Sequence, residues 1–337
     1  VCRRIRFGLL WLGLLLSAIL LAGPQSLLAQ SEAKATLTRF FGDVTLLKNP
    51  QKEPSGDGQS ALFGEQYFTV RKASVGDELL PGEVIQTGKV GRARLVYENG
   101  DQITVAANTS YQVKMEGESG VKKPLIDLLF GKIRSLIRSR DSNQAGVKVR
   151  TRSAVMGVRG TDFYVAAYGS ATGTEVTVLR GKVAIHDRDH SAEATVLPSG
   201  YTWKARRKTA NTQGDQDQVT RTSKQELGQI HKVSRVEPPA PQELAAHPAK
   251  NHIKSLEKKA SQQVIADIKQ YQPEIYTKLS NIPEKELADS DMVQAMTTRF
   301  AYDKAPEAKK SAKKSKADFD LDSYGEDVYE KYFDYDR

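Results

Sequence analysis

The chain has 337 residues and a formal charge of +9, from 50 Lys and Arg against 41 Asp and Glu. That length suits about two domains of ~150 residues each, but a hydrophobic content of 39% leaves part of it too polar to build a core. The single cysteine, Cys2, excludes an internal disulfide.

At the start, Arg3, Arg4 and Arg6 precede an apolar run from Phe7 to Ala22, closed by Gly23-Pro24. A basic segment followed by a run short for a membrane span reads as a secretory signal peptide. Cleavage is expected after Ala29, with Ser31-Glu32-Ala33 as a second candidate, so residues 1–29 are expected to be removed and the product to be periplasmic or secreted. The alternative is an uncleaved inner-membrane signal anchor.

Residues 35–205 read as one mainly β domain, a twisted β-sandwich or β-roll with glycine corners. A first strand pair covers 35–48, with Phe40, Val44 and Leu46 as its apolar points, and a Pro/Gly/Ser-rich loop follows over 49–60. Asn99-Gly100, between Leu95-Val96-Tyr97 and Ile103-Thr104-Val105, is a strong hairpin signal. Val147-Lys148-Val149-Arg150-Thr151-Arg152 alternates as a half-buried strand should.

Two glycines mark changes of phase. Ile126 and Leu128 precede Gly131 on even positions, whereas Ile133 and Ile137 follow it on odd ones. Val176 and Val178 precede Gly181, and Val183 and Ile185 follow it with the same switch. Side chains alternate with period two, so each flip predicts a bulge or corner that re-aims a strand. The two sites share Leu-x-Gly-Lys-(Ile/Val), a short internal repeat. Thr195-Val196-Leu197 and Tyr201–Ala205 are expected to close the sheet.

These residues also carry a resemblance. Val158-Arg159-Gly160-Thr161-Asp162-Phe163 with Val176–Val183 resembles the second half of a FecR domain, and Gly76–Gly88 resembles its first half. Arg92–Gly100 and Asn108-Thr109-Ser110 continue the pattern between them. The resemblance implies an all-β periplasmic domain, known best from regulators that relay an outer-membrane transport signal to a sigma factor. It makes Gly131, Arg159, Gly160, Thr161, Phe163 and Gly181 the structural motif. With six residues ahead of the apolar run, direct sigma-factor contact is not expected.

Beyond the β domain, 206–250 reads as a linker stiffened by Pro238-Pro239-Ala240-Pro241. A helical extension is expected over 251–302. Ile253, Leu256, Ala260, Val264, Ile268 and Tyr271 recur at three- and four-residue steps there, as do Ala288, Met292, Met296 and Phe300. These helices are expected to pack on the β domain or on a partner. Residues 303–337 read as a disordered charged tail, lysines first and then an acidic, aromatic stretch holding Tyr329, Tyr332 and Phe333.

Chemistry finds little support. His186-Asp187-Arg188-Asp189-His190 is the only His/Asp cluster and lacks further ligands nearby in sequence. There is no nucleophile elbow and no phosphate loop ahead of Lys-Ser/Thr. No enzyme, cofactor, metal or nucleic acid is expected. Arg134, Arg138 and Arg140, with Lys148, Arg150 and Arg152, gather bases on the β domain. The expected role is a protein-binding or regulatory module with a cell-envelope protein partner, with Arg150, Arg152, Tyr329, Tyr332 and Phe333 as interaction residues. The alternative is an envelope structural protein that holds peptidoglycan, another anionic glycan or lipid headgroups through its basic face.

Overall fold

The alternating apolar pattern becomes strands throughout the first two thirds of the chain. A computed structural model describes residues 34–54, 60–116, 123–138, 146–168, 173–187, 194–205, 218–281 and 293. The strands are β1 (Ala35–Phe41), β2 (Val44–Gln51), β3 (Ser60–Phe63), β4 (Gln66–Lys72), β5 (Glu78–Leu79), β6 (Val84–Thr87), β7 (Arg92–Tyr97), β8 (Gln102–Val105) and β9 (Thr109–Glu116). They continue as β10 (Lys123–Ile137), β11 (Val147–Arg150), β12 (Ala154–Val158), β13 (Thr161–Ala167), β14 (Thr174–Arg180), β15 (Lys182–Asp187), β16 (Thr195–Pro198), β17 (Tyr201–Lys204) and β18 (Gln218–Arg221).

They form two layers. The first runs β5-β1-β7-β8-β10-β13-β14-β17-β18, antiparallel at every step. The second runs β3-β4-β2-β6-β9-β10-β11-β12-β15-β16, parallel only between β10 and β11. Between them lies one apolar core with Leu95, Ile103, Ile133, Phe163, Val165, Val178 and Trp203 from the first layer and Leu46, Ile85, Val113, Ile126, Met156 and Ile185 from the second. Alternation explains the division: odd and even positions of each strand face opposite sides, and one side is apolar. Two tyrosines enter this core because they satisfy each other, the Tyr97 and Tyr111 hydroxyls lying 2.5 Å apart. Burial pushes both hydroxyls well above the usual phenol range.

Strand β10 belongs to both layers and turns at Gly131, the first predicted corner. Its first half pairs with β9 and β11, its second with β8 and β13. Gly131 has φ +101°, and a Cβ there would lie 2.3 Å from the Thr109 hydroxyl and 2.5 Å from the Asn108 carbonyl oxygen. Only glycine fits such a turn at such an approach. The second predicted corner, Gly181 (φ +86°), passes the chain from β14 in the first layer to β15 in the second. The two corners share one construction. The Thr109 hydroxyl lies 3.1 Å from the Ala107 carbonyl oxygen and accepts from the Lys132 N–H at 2.9 Å. Thr161 takes the matching place, its hydroxyl 2.9 Å from the carbonyl oxygens of Arg159 and Lys182. The short sequence repeat is therefore a repeated clasp.

The Asn-Gly hairpin joins β7 to β8 as expected. Gly100 donates to the Tyr97 carbonyl, Tyr97 donates to the Asp101 carbonyl, and the Asn99 side chain accepts from the Asp101 N–H. Gly100 alone takes positive φ, so this is a three-residue loop with a bulge rather than a two-residue turn.

Among the described residues, four helices follow: α1 (Lys224–Ser234), α2 (Pro241–Ala246), α3 (Lys250–Tyr271) and α4 (Pro273–Leu279). The stretch read from sequence as a linker over 206–250 thus holds a strand and two helices. Strand β18 extends the first layer beyond residue 205 by pairing with β17. Helix α1 starts with a capping box, in which Ser223 accepts from the Glu226 N–H and the Glu226 carboxylate accepts from the Ser223 N–H. On helix α3 five of the periodic apolar residues, Ile253, Leu256, Ala260, Val264 and Ile268, are buried. Pro273 separates α3 from α4, since proline removes an N–H and disfavours helix in the residue before it. Ala288, Met292, Met296, Phe300 and the tail lie outside the described residues.

Candidate docking face

Outward positions of the first layer do not meet water; they meet helices. Arg39 on β1, Arg94 on β7, Arg134 on β10 and Arg180 on β14 are each between 1% and 6% exposed. Burying a charge is costly unless it is paired, and each of these is. Arg39 grips Glu257 of α3 with bonds of 3.1 and 2.8 Å and reaches the Val236 carbonyl at 3.3 Å. Arg94 donates to Gln102 and lies 3.5 Å from Glu257. Arg134 makes a two-point pair with Asp162 of β13, at 2.9 and 2.7 Å, and touches His231 of α1 at 3.1 Å. Arg180 faces Asp267 of α3 at 3.6 Å.

The field here is set by the guanidinium row. Burial alone pushes the Glu257 carboxyl up, but Arg94 and Arg39 outweigh it and hold the group below the usual carboxylate range. Burial weakens the hold of Arg180 on its proton, against the opposing pull of Asp162 and Asp267. Apolar contacts flank the charges. Leu256 and Ala260 pack on Val96, Val264 and Ile268 on Leu136, and Leu227 and Ile230 on Tyr164, Ala166 and Leu179.

Of the residues singled out from sequence, Arg134 and the α3 stripe belong to this face; the motif residues fall elsewhere. Gly131, Gly160, Thr161 and Gly181 form the corners; Phe163 is in the core and Arg159 is half-buried beside the Gly160 turn. The gathered bases divide between layers. Arg134 lies beneath the helices, on the first layer, and is paired with Asp162 rather than facing solvent. Arg150 is on the second layer, 2.8 Å from Asp127, which also takes Lys114 at 3.0 Å. Burial opposes ionisation of Asp127, yet Arg150 and Lys114 lower its pKa overall. Arg152 is exposed. Arg134 and Arg150 therefore lie on different layers. Arg140, Tyr329, Tyr332 and Phe333 lie outside the described residues.

His186 and Asp187 are buried on β15, and burial holds the imidazole below its ordinary pKa. Among the described residues, no three His, Cys, Asp or Glu side chains gather as metal ligands. The largest exposed apolar side chains include Phe41 and Val90, at 63% and 60%, beside the Gly42 turn, together with Phe130 and Tyr168. No described helix is long and apolar enough to cross a membrane.

The acids that complete the face, Glu257 and Asp267, were not singled out from sequence. One signal marks them: they are the only acids of α3, a helix with five lysines, and each adjoins a residue of its apolar stripe.

Fold and face together define a two-layer β protein with a helical cover. Residues 83–184, from just before β6 into β15, match the family model described as FecR protein, so the chain carries a FecR domain with both glycine corners inside the matched span. No curated protein matches the chain. Among solved structures, it is similar to a proposed anti-sigma factor from Parabacteroides distasonis ATCC 8503, determined in two crystals at 1.65 and 2.50 Å. Both align with 19% identity and a TM-score of 0.35, over 43% of this chain and 62% of theirs. The match thus spans less than two thirds of that protein.

Proposed function

We propose that this chain is an exported, non-enzymatic FecR-domain module that binds and regulates another protein of the bacterial cell envelope. The observation that carries the reading is the FecR match over residues 83–184. Its buried ionisable groups support binding over turnover, because Arg134 with Asp162 and Arg94 with Gln102 and Glu257 serve to hold chain segments together. Export rests on the basic and apolar order of residues 3–22.

Capture from envelope extract with the full chain tests the reading. A defined protein partner retained at high salt is the expected result. Retention on purified peptidoglycan instead, abolished by salt, would replace it with the anionic-glycan reading. Truncation after Ala317 is expected to change capture while the sandwich stays folded. Mass spectrometry of the mature N-terminus is expected to find Gln30 first; an intact Arg3-Arg4 end would make the protein membrane-anchored.

A further inference from the structure

Among the described residues, the main core is built only from side chains within 35–205, and no helix residue enters it. The helices reach the sandwich through separate small clusters on the outer face of the first layer. Helix α3 lies along one cross-strand row there, Val96–Gln102–Leu136–Asp162–Arg180. The match in length is close. The advance from Leu256 to Ile268 covers about 18 Å of helix, and the strand steps from β7 to β14 cover about 19 Å. Charge matches as well as length. The face offers Arg39 and Arg94 at one end of the row and Arg180 at the other, and Glu257 and Asp267 answer them. Lys254, Lys258 and Lys269 stay exposed on the helix.

Two features make this cover removable. Apart from Val96 and Leu136, the row under α3 is polar, and its arginines, Asp162 and Gln102 tolerate water, so lifting α3 rehydrates these charges and offsets the pairing that is lost. The fit is also incomplete at the C-terminal end. Among the described residues, the terminal nitrogens of Arg180 make no hydrogen bond, the nearest Asp267 oxygen lying 3.6 Å away.

We infer that the outer face of the first layer is a helix-docking groove which α3 occupies from within the chain. The partner displaces α3 with an amphipathic helix of its own, apolar at every fourth position and carrying two carboxylates spaced to reach both arginine ends. This rests on the binding-module reading and supplies its surface.

The test uses the full chain, a fluorescein-labelled peptide of residues 250–271, and the double variant Glu257→Gln/Asp267→Asn, which weakens the internal helix. By fluorescence anisotropy, the peptide is expected to bind the variant with a Kd roughly tenfold or more below that for the wild type. Carrying the same two amide substitutions, the peptide is expected to lose that advantage. Equal affinity for both chains, binding to neither, or indifference to the peptide's carboxylates would overturn the inference. So would dimerisation of the variant without peptide uptake, which would make a second copy the occupant. Should the variant not fold, hydrogen exchange on the wild-type chain decides: α3 amides are expected to open while β7 and β10 stay protected, and joint exchange refutes the groove. A partner still captured from envelope extract after such a failure would leave the module reading standing with a different surface.

Discussion

The interior between the two layers and the outer face beneath the helices are equally dry and chemically opposite. One is filled by Phe163, Val165, Ile133 and Trp203; the other holds Arg39, Arg94, Arg134 and Arg180. Low exposure alone therefore does not identify a core. The interior is closed by residues of the sandwich itself, whereas the outer face is dry only because helices from later in the chain lie across it. The first arrangement specifies the fold, and the second can be undone while the fold persists.

The largest effects are expected where the interior is disturbed. Gly131→Val and Gly160→Val should each leave the sandwich misregistered or unfolded. At Gly131 the strain of positive φ costs ~1–3 kcal/mol, and overpacking against Thr109 adds ~1–3 kcal/mol. Urea denaturation checks this, and an unchanged midpoint would refute the corner assignment. Next comes Asp162→Asn, which removes the carboxylate from a two-point pair on the sheet itself and leaves Arg134 charged and buried. A loss of about 3 kcal/mol is expected, read from the same denaturation curve.

Glu257→Gln should cost less, about 1–2 kcal/mol, because α3 can lift and return Arg39 and Arg94 to water. Its signature is loss of α3 amide protection with the strands unaffected. Acidification should do the same to the wild type. The folded pKa of Glu257 is depressed, so its contribution is complete above the unfolded carboxylate pKa and disappears as pH falls through the folded value. Hydrogen exchange should therefore show α3 loosening below the ordinary carboxylate range. At the smallest end, Arg150→Ala breaks a partly exposed pair with Asp127 that Lys114 also serves, so the change should stay below about 1 kcal/mol. A larger loss would make the second layer's outer face more like the first.

Much of the β architecture was legible because its signals are local. The phase flips at Gly131 and Gly181 and the Asn99-Gly100 turn each depend on a few neighbouring residues, and the structure has all three. The α3 stripe was legible for the same reason. Strand β18 was not, because Gln218-Val219-Thr220-Arg221 is an outer edge whose residues are largely exposed and carry no alternation. Helix α1 did carry a signal, Ser223 with Glu226 three residues on, which the polar surroundings outweighed. The arginine row was hidden for a deeper reason. Alternation correctly places Arg94 and Arg134 on the outward side of their strands, and only segments far along the chain turn that side inward.

The sharing of β10 by both layers has a mechanical consequence. A sandwich of two independent sheets can shear along its apolar midplane, but here one continuous backbone is stitched into each sheet on either side of Gly131. Sliding one sheet over the other would have to tear that strand from its neighbours. The two sheets should consequently melt as a single cooperative unit, and a pulling force applied across them should meet resistance first at β10.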